Sequence, residues 1–211
     1  MEGLRPLHFS EIDLSSANGD FTTVAAVEAY AGITSSMATD ALIQSLITSA
    51  SAFMTTYMNR DIFQHDYVEN YNGIGSNELS LRNFPIISVS AVTLDGRTIP
   101  ASSDTRSLGY VFDSSVLYYR YGIFCQGAQN VSVSYRAGIA TMTGSPKVPT
   151  NVPPDLAQVC IDLVTVKYNR RKSLQIQGET LAQQTITYVT GDLTPGAKAA
   201  LDQWRDMRPV T

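Results

Sequence analysis

Few residues in this sequence are placed to carry out chemistry. His65 and Asp66 are adjacent, so they could act as a general base with a carboxylate that orients it. No plausible nucleophile accompanies the pair, and the other histidine, His8, lies far away in the sequence. A surface histidine at the entrance of a strand is the simpler interpretation, and a small enzyme acting through His65 stays an alternative.

Motifs that hold phosphates, metals or acyl groups are incomplete or missing from the sequence. Gly73-Ile-Gly75 resembles a fragment of a phosphate-binding loop, but it lies between two predicted strands and no Gly-Lys-Ser/Thr follows it. The His, Cys, Asp and Glu residues lack the spacing of metal ligands, and there is no Gly-x-Ser-x-Gly element of a hydrolase. The sequence therefore predicts a turn at Gly73 and no catalytic residue, metal or cofactor.

A basic cluster is the first candidate for binding. It runs from Lys167 to Lys172 as Lys-Tyr-Asn-Arg-Arg-Lys, at the end of a predicted helix. Such a cluster could contact DNA or an acidic partner surface. It could also be the ordinary basic end that complements a helix dipole. Both interpretations stay open.

Aromatic residues supply the other binding candidates. Trp204 is the sole tryptophan, and Arg205 and Arg208 follow it near the end of the chain. Trp and Arg are favoured in protein interfaces, although a helix folded onto its own core would show the same residues. The aromatic run 116–124 allows the same two interpretations, an exposed interface or half-buried strand residues.

The composition indicates a packed domain with few charges. Hydrophobic residues make up 44% of the 211 residues and charged residues only 16%, below the usual ~25%. Partners could cover much of such a surface, or Ser and Thr could keep it soluble. The net charge of −4 argues against a protein that grips nucleic acid by neutralising phosphates, and all of the acidic excess lies in residues 1–60.

The sequence shows no sign of secretion or membrane insertion. Its N-terminus lacks the layout of a signal peptide, and no run approaches the ~18 apolar residues of a membrane span. Cys125 and Cys160 have no paired spacing, so both are expected to be reduced, buried, small hydrophobes in a protein made in the cytosol.

The elements that must position these residues begin with a central helix. Pro154 suits its first turn, and apolar residues cover most of the circumference of 154–171, so this helix is predicted to pack on several sides. Apolar residues at i, i+3, i+4 and i+7 predict a second long helix over 38–59, whose opposite face is uncharged. Shorter helices are predicted over 23–31 and 194–206.

Between residues 66 and 136 the apolar period changes from 3.6 to 2, which predicts antiparallel strands. Asn72-Gly73 and Asp95-Gly96 are typical of hairpin turns. A polar loop is predicted over 101–109 and a stiff, proline-bearing linker over 141–153.

The predicted fold class is therefore α+β, mainly a helical bundle of those four helices with an inserted antiparallel β region. Residues 1–21 are expected to be an N-terminal arm, and residues 22–211 a single domain with the β insertion at 66–137.

This order of elements resembles the phage head–tail connector (adaptor) family, whose members attach beneath the portal of tailed bacteriophages. The resemblance covers about residues 22–206 and depends on the succession and spacing of several stretches. Those stretches are Asp40 to Phe53 with Asn59-Arg60, Leu81 to Val92 with Asp95-Gly96, Val131 to Gly138, Val152-Pro-Pro-Asp155 leading to Tyr168-Asn-Arg170, and Leu193-Thr-Pro-Gly196. The first twenty residues, the polar loop 97–130 and the Gln-rich stretch after Arg171 depart from the family pattern.

The resemblance implies a structural, non-enzymatic adaptor of the virion neck, present in the host cytoplasm before assembly. It implies a dodecameric ring between the portal and a tail or stopper protein, with genomic DNA passing through the lumen without sequence-specific binding. A different neck or tail component, such as a stopper or tail-completion protein, is the alternative.

Family members grip the portal with terminal segments, so the resemblance implies a portal-docking segment over residues 172–211. The candidate partner-binding residues are Lys167, Arg170, Arg171, Lys172, Gln175, Tyr188, Trp204, Arg205 and Arg208.

Overall fold

The structure is a computed structural model. It describes residues 19–104, 106–144, 147–171, 178–181, 184–187 and 193–206, the two segments between 178 and 187 by their backbone only. The helices in this part of the chain are α1 (Val24–Ala31), α2 (Met37–Met58), α3 (Pro154–Arg170) and α4 (Pro195–Trp204). The strands are β1 (His65–Gly73), β2 (Glu78–Ser80), β3 (Ile86–Leu94), β4 (Arg97–Ile99), β5 (Gly109–Phe112), β6 (Val116–Arg120), β7 (Gly127–Ala137), β8 (Thr141–Thr143), β9 (Val148–Thr150), β10 (Gly178–Leu181) and β11 (Gln184–Thr187).

The prediction of a mainly helical bundle is wrong, because the described chain is mainly β. Eleven strands form four antiparallel sheets there, beside four short helices. The largest sheet has the order β1-β7-β3-β4, the next has the order β2-β6-β5, and β8-β9 and β10-β11 are two-stranded.

The missed strands explain the error. β5, β8, β9 and β10 have three or four residues each, too few for an alternating pattern to be visible. β8 and β9 lie within the predicted linker, where Pro149 is tolerated because the two-stranded sheet consists of edge strands.

One predicted hairpin is present and the other is not. Asp95 and Gly96 have φ values of 49° and 77° and connect β3 to β4 as a two-residue turn. The hairpin predicted at Asn72-Gly73 is wrong, because these residues belong to β1, which pairs with β7 across more than fifty residues of chain.

Capping residues mark the starts of three helices and the ends of two. Thr23, Ser36 and Thr194 each accept a hydrogen bond from the backbone N–H three residues later, at the starts of α1, α2 and α4. Gly32 and Asn59 follow α1 and α2 in the left-handed conformation, with φ values of 63° and 50°. The four predicted helices are therefore present, with ends shifted by two residues at most.

The first core lies between the helices. α3 contacts α1, α2 and α4, as its apolar circumference predicts. Its buried side chains are Leu156, Val159, Cys160, Leu163 and Val164. Burial raises the pKa of the Cys160 thiol to about 12, which keeps it protonated. Cys125 is exposed, so the prediction of two buried thiols is wrong for that residue.

The second core lies between the two larger sheets. Its buried residues come from both sheets and the loops beside them, among them Tyr71, Leu79, Val92, Tyr110, Leu117, Phe124, Val131, Val133 and Tyr135. β1 leaves the helices after Phe63, which belongs to the helical core. The nine residues of β1 then extend for about 30 Å, and they begin next to the helical core.

A buried polar network fixes the loop between β2 and β3. The carboxylate of Glu69 accepts hydrogen bonds from the hydroxyls of Tyr71 and Tyr135, the latter at 2.6 Å. The same hydroxyls accept the backbone N–H groups of Arg82 and Asn83, at 3.0 and 3.2 Å. Burial, followed by the hydrogen bond to Glu69, raises the pKa of Tyr135 to about 12 and also raises the pKa of Tyr71.

Removing one hydroxyl of this network should destabilise the fold. In Tyr135→Phe the N–H of Asn83 and one Glu69 oxygen lose a buried partner, so the free energy of unfolding should fall by about 1–3 kcal/mol in urea titration. Tyr121→Phe, at a residue 75% exposed, is the control and should change nothing.

The network should also give the stability a characteristic pH dependence. Tyrosines of the unfolded chain ionise near pH 10, whereas folded Tyr135 keeps its proton up to about pH 12. The unfolding free energy should therefore fall as pH rises from 10 to 12, and fall less steeply in Tyr135→Phe. Equal alkaline slopes for the two proteins would contradict this account.

Helix α4 is attached to the body by polar contacts as well as by its buried Leu201. The indole N–H of Trp204 donates to Asp155 Oδ2 at 2.6 Å, at the start of α3. The hydroxyl of Tyr57 donates to Asp202 at 2.8 Å, near the end of α2. The end of α4 therefore meets both the start of α3 and the end of α2.

Trp204→Phe should loosen this attachment. The substitution keeps most of the ring but removes the hydrogen bond to a carboxylate, so we expect a loss of about 1–3 kcal/mol in thermal or urea unfolding. Gln203→Ala, exposed on the same turn, should stay within about 0.5 kcal/mol of the parent. Equal stabilities of the Trp204 variant and the parent would show that the hydrogen bond to Asp155 does not stabilise the fold.

Candidate functional site

The structure pairs His65 with a different carboxylate from the one predicted. Its Nε2 lies 3.2 Å from Asp61 Oδ2, whereas Asp66 lies 3.7 Å from Arg136. Asp61 also accepts the backbone N–H of Phe63, so this pair fixes the turn between α2 and β1. In the part of the chain that the structure describes, no three His, Cys, Asp or Glu residues are grouped as metal ligands.

Gly73 is the last residue of β1 and not a turn residue as predicted, and its N–H is already used. It donates to the side-chain oxygen of Asn130 at 2.8 Å, and the Asn130 amide donates in turn to the Cys125 carbonyl at 2.9 Å. A Cβ atom on Gly73 would lie 1.9 Å from that carbonyl oxygen. The glycine is therefore required for the close approach of two backbones.

The basic cluster lies on the last turn of α3 and just beyond it. Arg171 is exposed, stacks 3.6 Å over the ring of Tyr168 and donates to its hydroxyl at 2.9 Å. Lys167 and Arg170 are half-buried on the same turn. Lys172, Gln175 and Tyr188 lie outside the described residues.

The C-terminal candidates are placed against the body of the protein. Trp204 is half-buried and uses its indole N–H within the fold. Arg205 is exposed, with its guanidinium 5.8 Å from the ring of Tyr57. Arg208 lies outside the described residues. The structure thus brings Trp204 to the start of α3, at the opposite end of that helix from Arg171.

The aromatic run 116–124 is partly core and partly surface. Leu117 and Phe124 are fully buried in the β core. Tyr121 is 75% exposed and Ile123 is 52% exposed in the loop that follows β6. Ile74, 70% exposed, was not among the predicted residues. Its only sequence signal is an isoleucine between two glycines in an otherwise polar turn.

The described helices give no membrane span, since none of them is both long enough and apolar enough to cross a bilayer.

The chain has clear relatives. The head completion protein family matches residues 20–207. A chain in the neck of an empty GTA particle, computed with C6 symmetry, shares the fold with a TM-score of 0.55 at 16% identity, over 89% of this chain and 90% of that one. A chain in the neck of a native GTA particle, computed with C12 symmetry, gives a TM-score of 0.53 at 15% identity with the same coverage.

A third structure, the virion of a native gene transfer agent (GTA) particle, has a chain with a TM-score of 0.54 at 15% identity, over 89% of this chain and 90% of that one. No curated protein sequence matches the chain. Identities this low show a common fold, whereas the family match spans nearly the whole chain. The connector resemblance found in the sequence, with its structural role at the head–tail junction, is confirmed at the level of the family. The chain belongs to the head completion protein family.

Proposed function

We propose that this protein is a non-enzymatic adaptor that forms a ring beneath the portal and joins head to tail around the DNA channel. The observation that carries the proposal is the family match over residues 20–207. Neck structures computed with C6 and C12 symmetry, which contain chains of this fold, support a ring, and the C12 symmetry supports twelve copies. The protein would reside in the virion, and in the host cytoplasm before assembly.

The exposed face of α2 supports contact between ring neighbours. No charged residue occurs between Asp40 and Arg60. Leu42 and Phe53 are 39% and 40% exposed on this helix. The other exposed residues from 41 to 53 are small or uncharged, namely Ala41, Gln44, Ser45, Thr48, Ser49 and Ala52. A neighbouring copy could cover this face without removing a charge from water. Rings of identical subunits use such heterologous contacts.

The end of α3 supports a portal-docking role for the chain that follows. The basic residues Lys167, Arg170 and Arg171 at the end of α3 lie directly before residue 172 in the chain. We therefore retain 172–211 as the docking segment, and 1–21 as an arm on a single domain. The last residue of that arm, Phe21, packs in the helical core. The low charge of the chain suits a conduit that lets DNA pass without holding it.

The stopper alternative also predicts a β-rich chain, so the β content of this fold does not separate it from an adaptor. Direct binding to the portal separates them, because an adaptor contacts the portal and a stopper contacts the adaptor.

Ring formation should depend on the α2 face. Alone, the protein should be a monomer or a loose oligomer, and with purified portal it should form a closed ring, measured by mass photometry. Ser49→Arg adds a charge to the middle of the face and should abolish the ring while leaving the circular dichroism spectrum unchanged. Ser103→Arg, in an exposed loop, is the control. If Ser49→Arg formed normal rings, the proposal that α2 lies in the interface would be contradicted.

Portal binding should depend on the basic end of α3. Arg171→Glu reverses an exposed charge whose described contacts are with Tyr168, so the fold should persist. The Kd for portal should rise about tenfold or more, equivalent to about 1.4 kcal/mol. Arg97→Glu, exposed in β4 and outside the docking segment, is the matched control. An unchanged Kd for Arg171→Glu would show that the basic end of α3 is not part of the docking site. Point substitutions are needed because truncation from residue 190 would also remove the buried Leu201.

A further inference from the structure

The end of the β region farthest from the helices exposes three apolar side chains, which we call the tip. They are Ile74, Tyr121 and Ile123, exposed by 70%, 75% and 52%. The two loops that carry them are hydrogen-bonded to each other, because the N–H of Gly75 donates to the carbonyl of Phe124 at 2.8 Å. Apolar side chains gathered on an exposed surface are typical of interaction sites.

The tip is held in one conformation by side chains behind it. Asn130 bridges the N–H of Gly73 and the carbonyl of Cys125. Asn72 at the end of β1 accepts the N–H of Gln129 at the start of β7 at 2.7 Å, which connects the strands next to these loops. A surface ordered before binding loses little conformational entropy when a partner docks on it.

The uncharged residues around the tip favour a protein partner over DNA. Residues 72–77 and 121–135 contain no charged residue. DNA binding depends on several cations that neutralise phosphates, so this surface does not suit DNA. An apolar and uncharged protein surface would cover the tip without a desolvation penalty for charges.

A groove beside the tip adds one positive charge. Asn77, Val111 and Tyr118 to Tyr121 line it, with Arg120 among them. The Nε of Arg120 is buried and has no hydrogen-bond partner in the described part of the chain. The backbone N–H groups of Arg106 and Ser107 donate to Asp104 and lower the pKa of this carboxylate most. The charge of Arg120 lowers that pKa further. Arg120 thus gives the groove a positive charge, which suits a carboxylate of a partner.

The tip lies on the opposite side from the proposed portal contacts. The tip follows the last residue of β1, whereas the first residue of that strand, about 30 Å away along it, lies next to the helical core. We propose that the tip and the Arg120 groove form the docking surface for the tail-side neck component, whose contacting segment places an apolar side chain next to a carboxylate. This proposal rests on the proposed neck function.

A head–tail joining assay tests the proposal. Heads from a phage lacking this gene are supplied with the full-length protein, mixed with purified tails and imaged. Two readouts are scored, the copies of this protein on each head and the fraction of heads joined to a tail. Ile74→Ser/Ile123→Ser and, separately, Arg120→Gln should bind heads at the parent level but join tails at least tenfold less often. Val68→Ser, 76% exposed on the outer face of the large sheet, is the control and should behave as the parent.

The outcomes separate this proposal from the function it rests on. Variants that join tails as the parent does would overturn the docking surface and leave the adaptor function intact. Variants that are folded in solution but missing from heads would also overturn it, because the surface would then serve the portal or a neighbouring copy. A parent protein that never binds heads would refute the proposed function itself.

Discussion

The guanidinium of Arg60 joins the two halves of this protein. It stacks 3.7 Å over the ring of Phe84 and donates to the Phe84 carbonyl at 2.7 Å, in the loop between β2 and β3. It also lies 6.0 Å from the ring of Trp204 at the end of α4. Arg60 itself is the second residue after α2. Together with the backbone hydrogen bonds between residues 62–64 and 139–140, these contacts hold the β region against the helices and the C-terminal helix.

The contacts between the two halves bear on how the two proposed binding surfaces are placed relative to each other. The helices bury one core and the two larger sheets bury another, so each half can present its own surface without losing its packing. The basic end of α3 belongs to the helical half, and the tip belongs to the far end of the β half. An adaptor between two different partners needs two such surfaces in a constant relation, which the Arg60 contacts and the Glu69 network supply.

The sequence could predict those parts of the fold that show a clear period. The helices were found because their apolar residues repeat over many turns and because Thr23, Thr194 and Pro154 have distinctive roles at helix starts. The short strands could not be found in this way, and neither could the long-range pairing of β1 with β7. Their hydrogen bonds depend on tertiary contacts that no local pattern encodes.

The candidate site was predictable only in part. The basic cluster on α3 is visible in the sequence, but only the structure shows that Trp204 uses its indole N–H within the fold. His65 was paired with its neighbour Asp66, whereas the chain turn brings Asp61 to it instead. Ile74 could not be recognised at all, because its exposure depends on how two distant loops meet.

The central claim is that this protein is the ring between portal and tail. Cryo-electron microscopy of the purified protein bound to the portal, reconstructed without imposed symmetry, tests it most directly. We expect a closed ring coaxial with the portal, with the end of α3 at the contact and the β region pointing away from it. A ring that contacts the portal through the tip, or a portal that carries no ring, would contradict the claim.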